Sequence, residues 1–458
     1  MSVKAKKDRV QYTCQSCGHV SPRWMGHCSE CNEWNSYVEE VVPKKHAKTA
    51  RQQSETPSVA VHLSDIDFKH QERISARSKE FNRVLGGGVV PGSVVLLGGD
   101  PGIGKSTLML QEGVGLANEH FPVLFVSGEE SIRQTKLRAD RLGINSGHLY
   151  VLAETNMSEI LARIEQLNPK LVIVDSIQTV YRPEFESSPG SISQVRNCAY
   201  EFIECAKKQN VPIFLVGHVT KEGYIAGPKV LEHMVDVLLQ FEGDRDHFYR
   251  ILRSIKNRFG STREIGVFEM TQKGLEEVLN PSSLFLEQRK ENVTGSCVIC
   301  TMEGTRPFLV EIQALVSSAN FGLPQRTATG IDNKRLSLLL AVLEKRVGLR
   351  IGGQDVFVNA AGGVRIDEPA ADLGILVSIA SSFKDQIVDP RAVIIGEVGL
   401  GGEIRTIPQI DKRIDEATKL GFKRAVIPKL SQKGIKSQSS LKISCVDNVE
   451  EALEEVLN

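Results

Sequence analysis

Between about residues 61 and 280 the chain alternates short apolar runs with longer amphipathic stretches. The runs are Val94-Val-Leu-Leu-Gly, Val123-Leu-Phe-Val-Ser, Leu171-Val-Ile-Val-Asp and Pro212-Ile-Phe-Leu-Val-Gly. Near-continuous hydrophobicity of this length suits strands buried on both faces, with helices as the crossovers between them. The segment therefore predicts an α/β domain on a parallel sheet. After Pro281 the pattern restarts. Strands are expected at Arg306-Pro-Phe-Leu-Val-Glu-Ile, Asp355-Val-Phe-Val-Asn and Ala392-Val-Ile-Ile-Gly, and helices from Lys334 to Val347 and from Gln409 to Leu420. Residues 281–458 thus read as a second α/β or α+β domain. Residues 1–40 differ, being rich in Cys, Gly and Trp without long apolar periodicity, and a segment so poor in core needs a staple. Residues 41–60 are polar and basic and read as a flexible linker.

Composition narrows this picture in two ways. Lys+Arg and Asp+Glu both number 56, so bulk charge points to no nucleic-acid or membrane partner, and any basic surface must be local. No apolar run approaches the roughly 20 residues needed to span a bilayer. The basic start, Met1 to Arg9, leads into no apolar stretch, so a cytoplasmic protein without a secretory leader is expected. Nine cysteines, an odd number with four of them in the first 31 residues, argue against a disulfide framework.

Those four, Cys14-x2-Cys17 and Cys28-x2-Cys31, have the spacing of two thiolate knuckles around one tetrahedral Zn²⁺. With four thiolates no coordination position stays open, so the site is expected to be structural. Rubredoxin-type iron fits the same ligands. Cys297-x2-Cys300 has no partner pair, and together with Cys198, Cys205 and Cys445 it is expected to serve packing.

Gly99-Asp100-Pro101-Gly102-Ile103-Gly104-Lys105-Ser106-Thr107 matches G-x4-G-K-[ST] in full, after a predicted strand and at the start of a helix expected over Ser106 to Asn118. Its backbone N–H groups are expected to surround the phosphates of ATP, with Lys105 on the β- and γ-phosphates and Ser106 on Mg²⁺. Asp175, ending the run Leu171-Val-Ile-Val, is the expected second Mg²⁺ ligand. Phe125-Val-Ser-Gly-Glu129-Glu130 ends the strand after the P-loop helix, a strand expected beside the P-loop strand. Glu129 is the candidate general base and Glu130 the alternative.

The ordered set of P-loop, Gly-Glu-Glu, Val-Asp-Ser-Ile-Gln and Lys256-Asn-Arg-Phe-Gly260, with the four-cysteine ribbon in front, resembles the bacterial RadA (Sms) recombination ATPases over essentially the whole chain. The resemblance implies a RecA-like P-loop ATPase core, a ring of six subunits, and DNA-stimulated hydrolysis of ATP. It further implies a translocase or helicase that promotes branch migration of recombination intermediates. Single-stranded and branched DNA and a RecA-type recombinase are the implied partners. Carried over, Lys256 and Arg258 reach the neighbouring subunit's γ-phosphate, after a strand expected over Tyr249 to Ile255. His218 stands where related proteins sense that phosphate, while Lys221, Tyr224 and Lys229 in the same polar loop are candidate DNA contacts.

The C-terminal segment resembles the proteolytic domain of Lon, which uses a Ser–Lys dyad. The serine's place holds Ala370 and the lysine's place Asp411, so a Lon-protease-like domain without peptidase chemistry is implied. Lys334, Arg335, Lys345, Arg346 and Arg350 are candidate phosphate contacts on it. A DNA motor and a nucleotide-switched DNA-binding scaffold that unwinds nothing require the same pocket, so both readings stand at this level.

Overall fold

The computed structural model describes residues 9–14, 19–30, 32–42, 62, 73–185, 187–217, 229–243, 249–287, 289–319, 322–435 and 440–457. The chain divides into two compact units, Met1–Glu277 and Val278–Asn458.

In the first unit, nine described strands form one sheet. Their order is Gly274–Glu277, Ile265–Thr271, Tyr249–Asn257, Val237–Glu242, Val94–Gly99, Ile213–Val216, Leu171–Asp175, Val123–Ser127, Leu149–Ala153. The six from Val237–Glu242 onward run parallel, and the remaining three continue antiparallel. Alternate residues of each parallel strand enter opposite cores. Val95, Leu97, Phe125 and Ile173 face one cluster, whereas Val94, Leu96, Leu124 and Val172 face the other. This double burial explains the unbroken apolar runs.

One expectation fails here. The strand Val123–Ser127 does not lie beside the P-loop strand, because Ile213–Val216 and Leu171–Asp175 stand between them. The crossover helix Lys105–Leu116 touches Val94–Gly99, Leu171–Asp175 and Val123–Ser127, so it spans the gap. Gly113 makes this crossing close: a Cβ there would meet Ile173 Cδ1 at 2.9 Å.

The ribbon forms a small sheet of Val20–Ser21, Arg9–Cys14 and Tyr37–Val42. In the second unit seven described strands form one sheet, ordered Arg326–Thr329, Gln354–Ala360, Arg306–Ser318, Ser296–Glu303, Ala392–Ile394, Arg424–Pro428, Lys442–Val446, and Glu397–Val398 pairs with Ile404–Arg405 in a small second one. The helix Asp372–Lys384 is buried along its first ten residues. Cys297 and Cys300 sit inside the strand Ser296–Glu303, where burial pushes both thiols up to about 12. Burial likewise raises Cys198 to about 12 and Cys205 to about 11, which makes inert packing groups of them. No described helix is long and apolar enough to cross a membrane.

Candidate active site

The P-loop lies at the carboxyl edge of the parallel strands. Gly104 adopts φ +118°, and a Cβ there would press within 2.9 Å of Met270 Cε, so both conformation and space call for glycine. As N-cap of the helix Lys105–Leu116 it supplies no side-chain acceptor. The first-turn N–H groups are thus left for an anion, which the helix dipole also attracts. Ile103 packs into the core and anchors the loop, whereas Asp100 and Pro101 are exposed.

Lys105 is buried and folds back on the loop, with Nζ donating to Gly99 O at 2.8 Å and Asp100 O at 2.9 Å. Burial lowers its pKa, and the carboxylates of Asp175, Glu129 and Asp100 oppose that shift. Three carboxylates around one ammonium favour its charged form where phosphates would arrive. Ser106 hydrogen-bonds the Asp175 side chain across the intervening strand. Asp175 is raised above the usual carboxylate range, first by burial, with Ser106 opposing and Glu129 adding. A buried carboxylate that pays for desolvation and touches a hydroxyl is a ready ligand for a hard divalent cation. The donor set therefore fits Mg²⁺.

Glu129 arrives by strand pairing, since Ser127 is in register with Asp175. Gly128 then passes so close to Thr179 that a Cβ would overlap its hydroxyl, and Gly128 N donates to Asp175 O at 2.8 Å. Ser176 Oγ donates to Glu129 Oε1 at 2.6 Å, fixing that carboxylate beside Asp175. Glu130 instead forms an ion pair with Arg138. The geometry thus separates the two neighbouring acids. Beyond Thr107 a cavity of about 660 Å³ opens between Arg141, Leu142 and the turn Met270–Gly274. Gln111 latches that turn to the P-loop helix, exchanging hydrogen bonds with Leu275 N (2.9 Å) and Leu275 O (3.2 Å). Nothing in the sequence marks this cavity, since no spacing links Arg141 to a turn so far along the chain.

Lys256 and Arg258 lie elsewhere. Lys256 pairs with Leu238 and Asn257 with Val237, while Gly99 is level with Phe241, so the pentapeptide leaves the sheet at the edge away from the P-loop. Lys256 Nζ donates to three main-chain carbonyls, those of Glu232, His233 and Val235, and Arg258 pairs with Asp236 at 3.1 Å. His218, Lys221 and Tyr224 lie outside the described residues. Lys229 opens the helix Lys229–Met234.

In the ribbon, Cys14 and Cys28 are buried together with Tyr37, whereas Cys17 and Cys31 lie outside the described residues. The two described cysteines make matching backbone bonds: Cys14 N donates to His19 O and Cys28 N to Glu33 O, both at 2.9 Å. Two buried, matched cysteines fit half of a tetrathiolate metal site.

In the second unit Ala370 is buried beside Gly396, whose N–H donates to its carbonyl at 2.9 Å. Asp411 lies in the first turn of the helix Ile410–Lys419. Arg413, fully buried two residues on, forms an ion pair with Glu368 and donates to Cys300 O. Of the candidate phosphate contacts, Arg335 is held by Asp372, whereas Lys334, Lys345, Arg346 and Arg350 are exposed.

Comparison with known families matches three segments. The AAA domain model matches residues 60–224, the rubredoxin metal binding domain model 12–39, and the Lon protease (S16) C-terminal proteolytic domain model 352–458. Sheet, loop and matches define a RecA-like P-loop protein with a zinc-ribbon segment in front and a Lon-type domain behind. The chain is 55% identical to "DNA repair protein RadA" of Halalkalibacterium halodurans, over 98% of this chain and 99% of that one. It is 54% identical to the Bacillus subtilis protein of the same name over 98% of each chain, and 53% to that of Listeria monocytogenes over 99% of each. The chain belongs to the RadA family.

Proposed function

We propose that this protein is a DNA-dependent ATPase of recombinational DNA repair, working as a hexameric, ring-shaped translocase or helicase that promotes branch migration. The observation that carries the reading is the convergence of Lys105, Ser106, Asp175 and a Ser176-held Glu129 on one uncapped helix N-terminus. ATP lays its phosphates over residues 99–107, with Lys105 turning from the loop carbonyls to the β- and γ-phosphates. The nucleoside extends past Thr107 into the cavity by Arg141. Ser106 and Asp175 hold Mg²⁺, which neutralises charge on the phosphate oxygens when bound. Glu129, aligned by Ser176, takes the proton of the attacking water.

Lys256 and Arg258 cannot serve the pocket of their own chain from the opposite sheet edge. Their place suits a role in trans, at the pocket of the next subunit. His218, Lys221, Tyr224 and Lys229 contact DNA in this reading, single-stranded and branched DNA are the substrates, and a RecA-type recombinase is the partner. Residues 1–40 form a zinc ribbon, 41–60 a linker, 61–280 the ATPase domain and 281–458 the Lon-like domain. A methyl group at Ala370 offers no nucleophile and a carboxylate at Asp411 cannot replace the lysine, so the last domain cleaves no peptides.

The test is ATP turnover with and without single-stranded DNA. Wild type should be stimulated by DNA, and Lys105→Ala should lose roughly 10²-fold or more in rate while remaining folded by circular dichroism. Turnover of Lys105→Ala near the wild-type rate would contradict the nucleotide assignment.

A further inference from the structure

Lys256 is saturated inside its own chain. Its ammonium carries three donors, and they meet Glu232 O at 2.8 Å, His233 O at 3.2 Å and Val235 O at 2.9 Å. These carbonyls end the helix Lys229–Met234, where C=O groups lack helical partners and the dipole is negative, so Lys256 is a cap of the right sign.

The cap is wired to the P-loop strand. Directly after it, Asp236 N donates to Val94 O and Asp236 Oδ2 accepts from Val94 N, both at 3.0 Å. Val94 begins the strand that carries the P-loop. Arg258 secures the same aspartate twice, through its guanidinium and through its N–H, both at 3.1 Å. The rest of the pentapeptide has its own anchors: Asn257 Nδ2 donates to Val84 O, Arg73 donates to Phe259 O, and Gly260 packs on Gly86. The Lys256 side chain can therefore leave without dismantling the segment.

We infer that Lys256 alternates between two partners, the helix end in its own chain and the γ-phosphate in the next subunit's pocket, and so reports one pocket's state to the P-loop strand of another. The inference rests on the trans reading of Lys256 given above. A phosphate contact needs the ammonium, and the cap uses all three of its donors, so the two arrangements exclude each other. When Lys256 leaves, the carbonyls of Glu232, His233 and Val235 lose their cation, and the Asp236–Val94 junction loses the support next to it. Lys256 acts here as a positioning residue for its own pocket.

Hydrogen–deuterium exchange on the full-length protein, with and without a non-hydrolysable ATP analogue and Mg²⁺, tests this. In wild type the analogue should slow exchange in the P-loop peptide and speed it roughly tenfold in a peptide spanning residues 230–238, as expected for loss of a charged hydrogen-bonding partner. Lys256→Met keeps the aliphatic stem, and it should exchange fast at 230–238 without the analogue and change no further with it. P-loop protection in wild type with no change at 230–238 would make Lys256 a fixed cap and overturn the inference. Slow exchange in Lys256→Met, equal to wild type, would overturn it as well. The trans reading itself stands or falls separately, on mixed rings.

Discussion

Glu112 should make the protein less stable as pH rises from about 4.5 to neutrality. It lies on the P-loop helix and is almost wholly buried, with Oε2 accepting from Arg77 N at 2.9 Å and Ser78 N at 3.3 Å. Burial pushes its pKa from the ordinary 4.5 to about 7, opposed by those two backbone bonds and assisted by nearby Glu277. Between these two values the folded chain keeps a proton that the unfolded chain has released. Stability from this group is therefore lost as pH climbs from 4.5 to 7, and the full cost is present above 7. The displacement corresponds to about 3 kcal/mol. Glu112→Gln keeps an acceptor for both N–H groups and cannot ionise. The variant should match wild type near pH 4.5 and exceed it by about 3 kcal/mol at pH 8.5. For a domain of this size that is roughly 6–12 °C in melting temperature. Thermal melts of both proteins at the two pH values measure it, and the difference between proteins cancels the other titrating groups. A stability difference that is the same at both pH values would mean that Glu112 is an ordinary ionised acceptor.

Two further outcomes are expected. Cys28→Ser should release the ribbon's metal and unfold that segment, since so small a core depends on the ion. The chain's two tryptophans, Trp24 and Trp34, both lie in the ribbon, so fluorescence excited selectively at tryptophan follows it alone, and an ordered ribbon holding neither zinc nor iron in wild type would end the metal assignment. Lys256→Ala and Arg258→Ala should bind nucleotide yet lose DNA-stimulated hydrolysis, by the 10³- to 10⁵-fold order usual for trans-acting cations. Mixing Arg258→Ala with Lys105→Ala chains should restore part of it, and mixed rings that form yet hydrolyse nothing would remove the trans role.

The P-loop, Asp175 and Glu129 were legible because their signals are local: a run of glycines, an apolar run ending in a carboxylate, an acidic pair after a strand. Helix positions were close too, with Asn333–Arg346 found where Lys334 to Val347 was expected and Ile410–Lys419 where Gln409 to Leu420 was. Strand order was not legible, because it depends on which strands the P-loop helix crosses, and a sequence carries no mark of that beyond the small residue Gly113. Buried charges were equally hidden. Arg413 and Glu112 look like surface residues in sequence, and only their partners, Glu368 and the amides of Arg77 and Ser78, make burial tolerable. Ser176 likewise reads as one more strand-end residue until its hydroxyl is seen on Glu129.

Strand displacement on a forked DNA duplex asks whether the pocket of Lys105, Asp175 and Glu129 drives movement on DNA. Wild type should unwind such a duplex only with hydrolysable ATP and Mg²⁺, and Lys105→Ala should not unwind it. DNA-stimulated hydrolysis with no displacement of any forked substrate would contradict this and leave a nucleotide-switched DNA-binding scaffold.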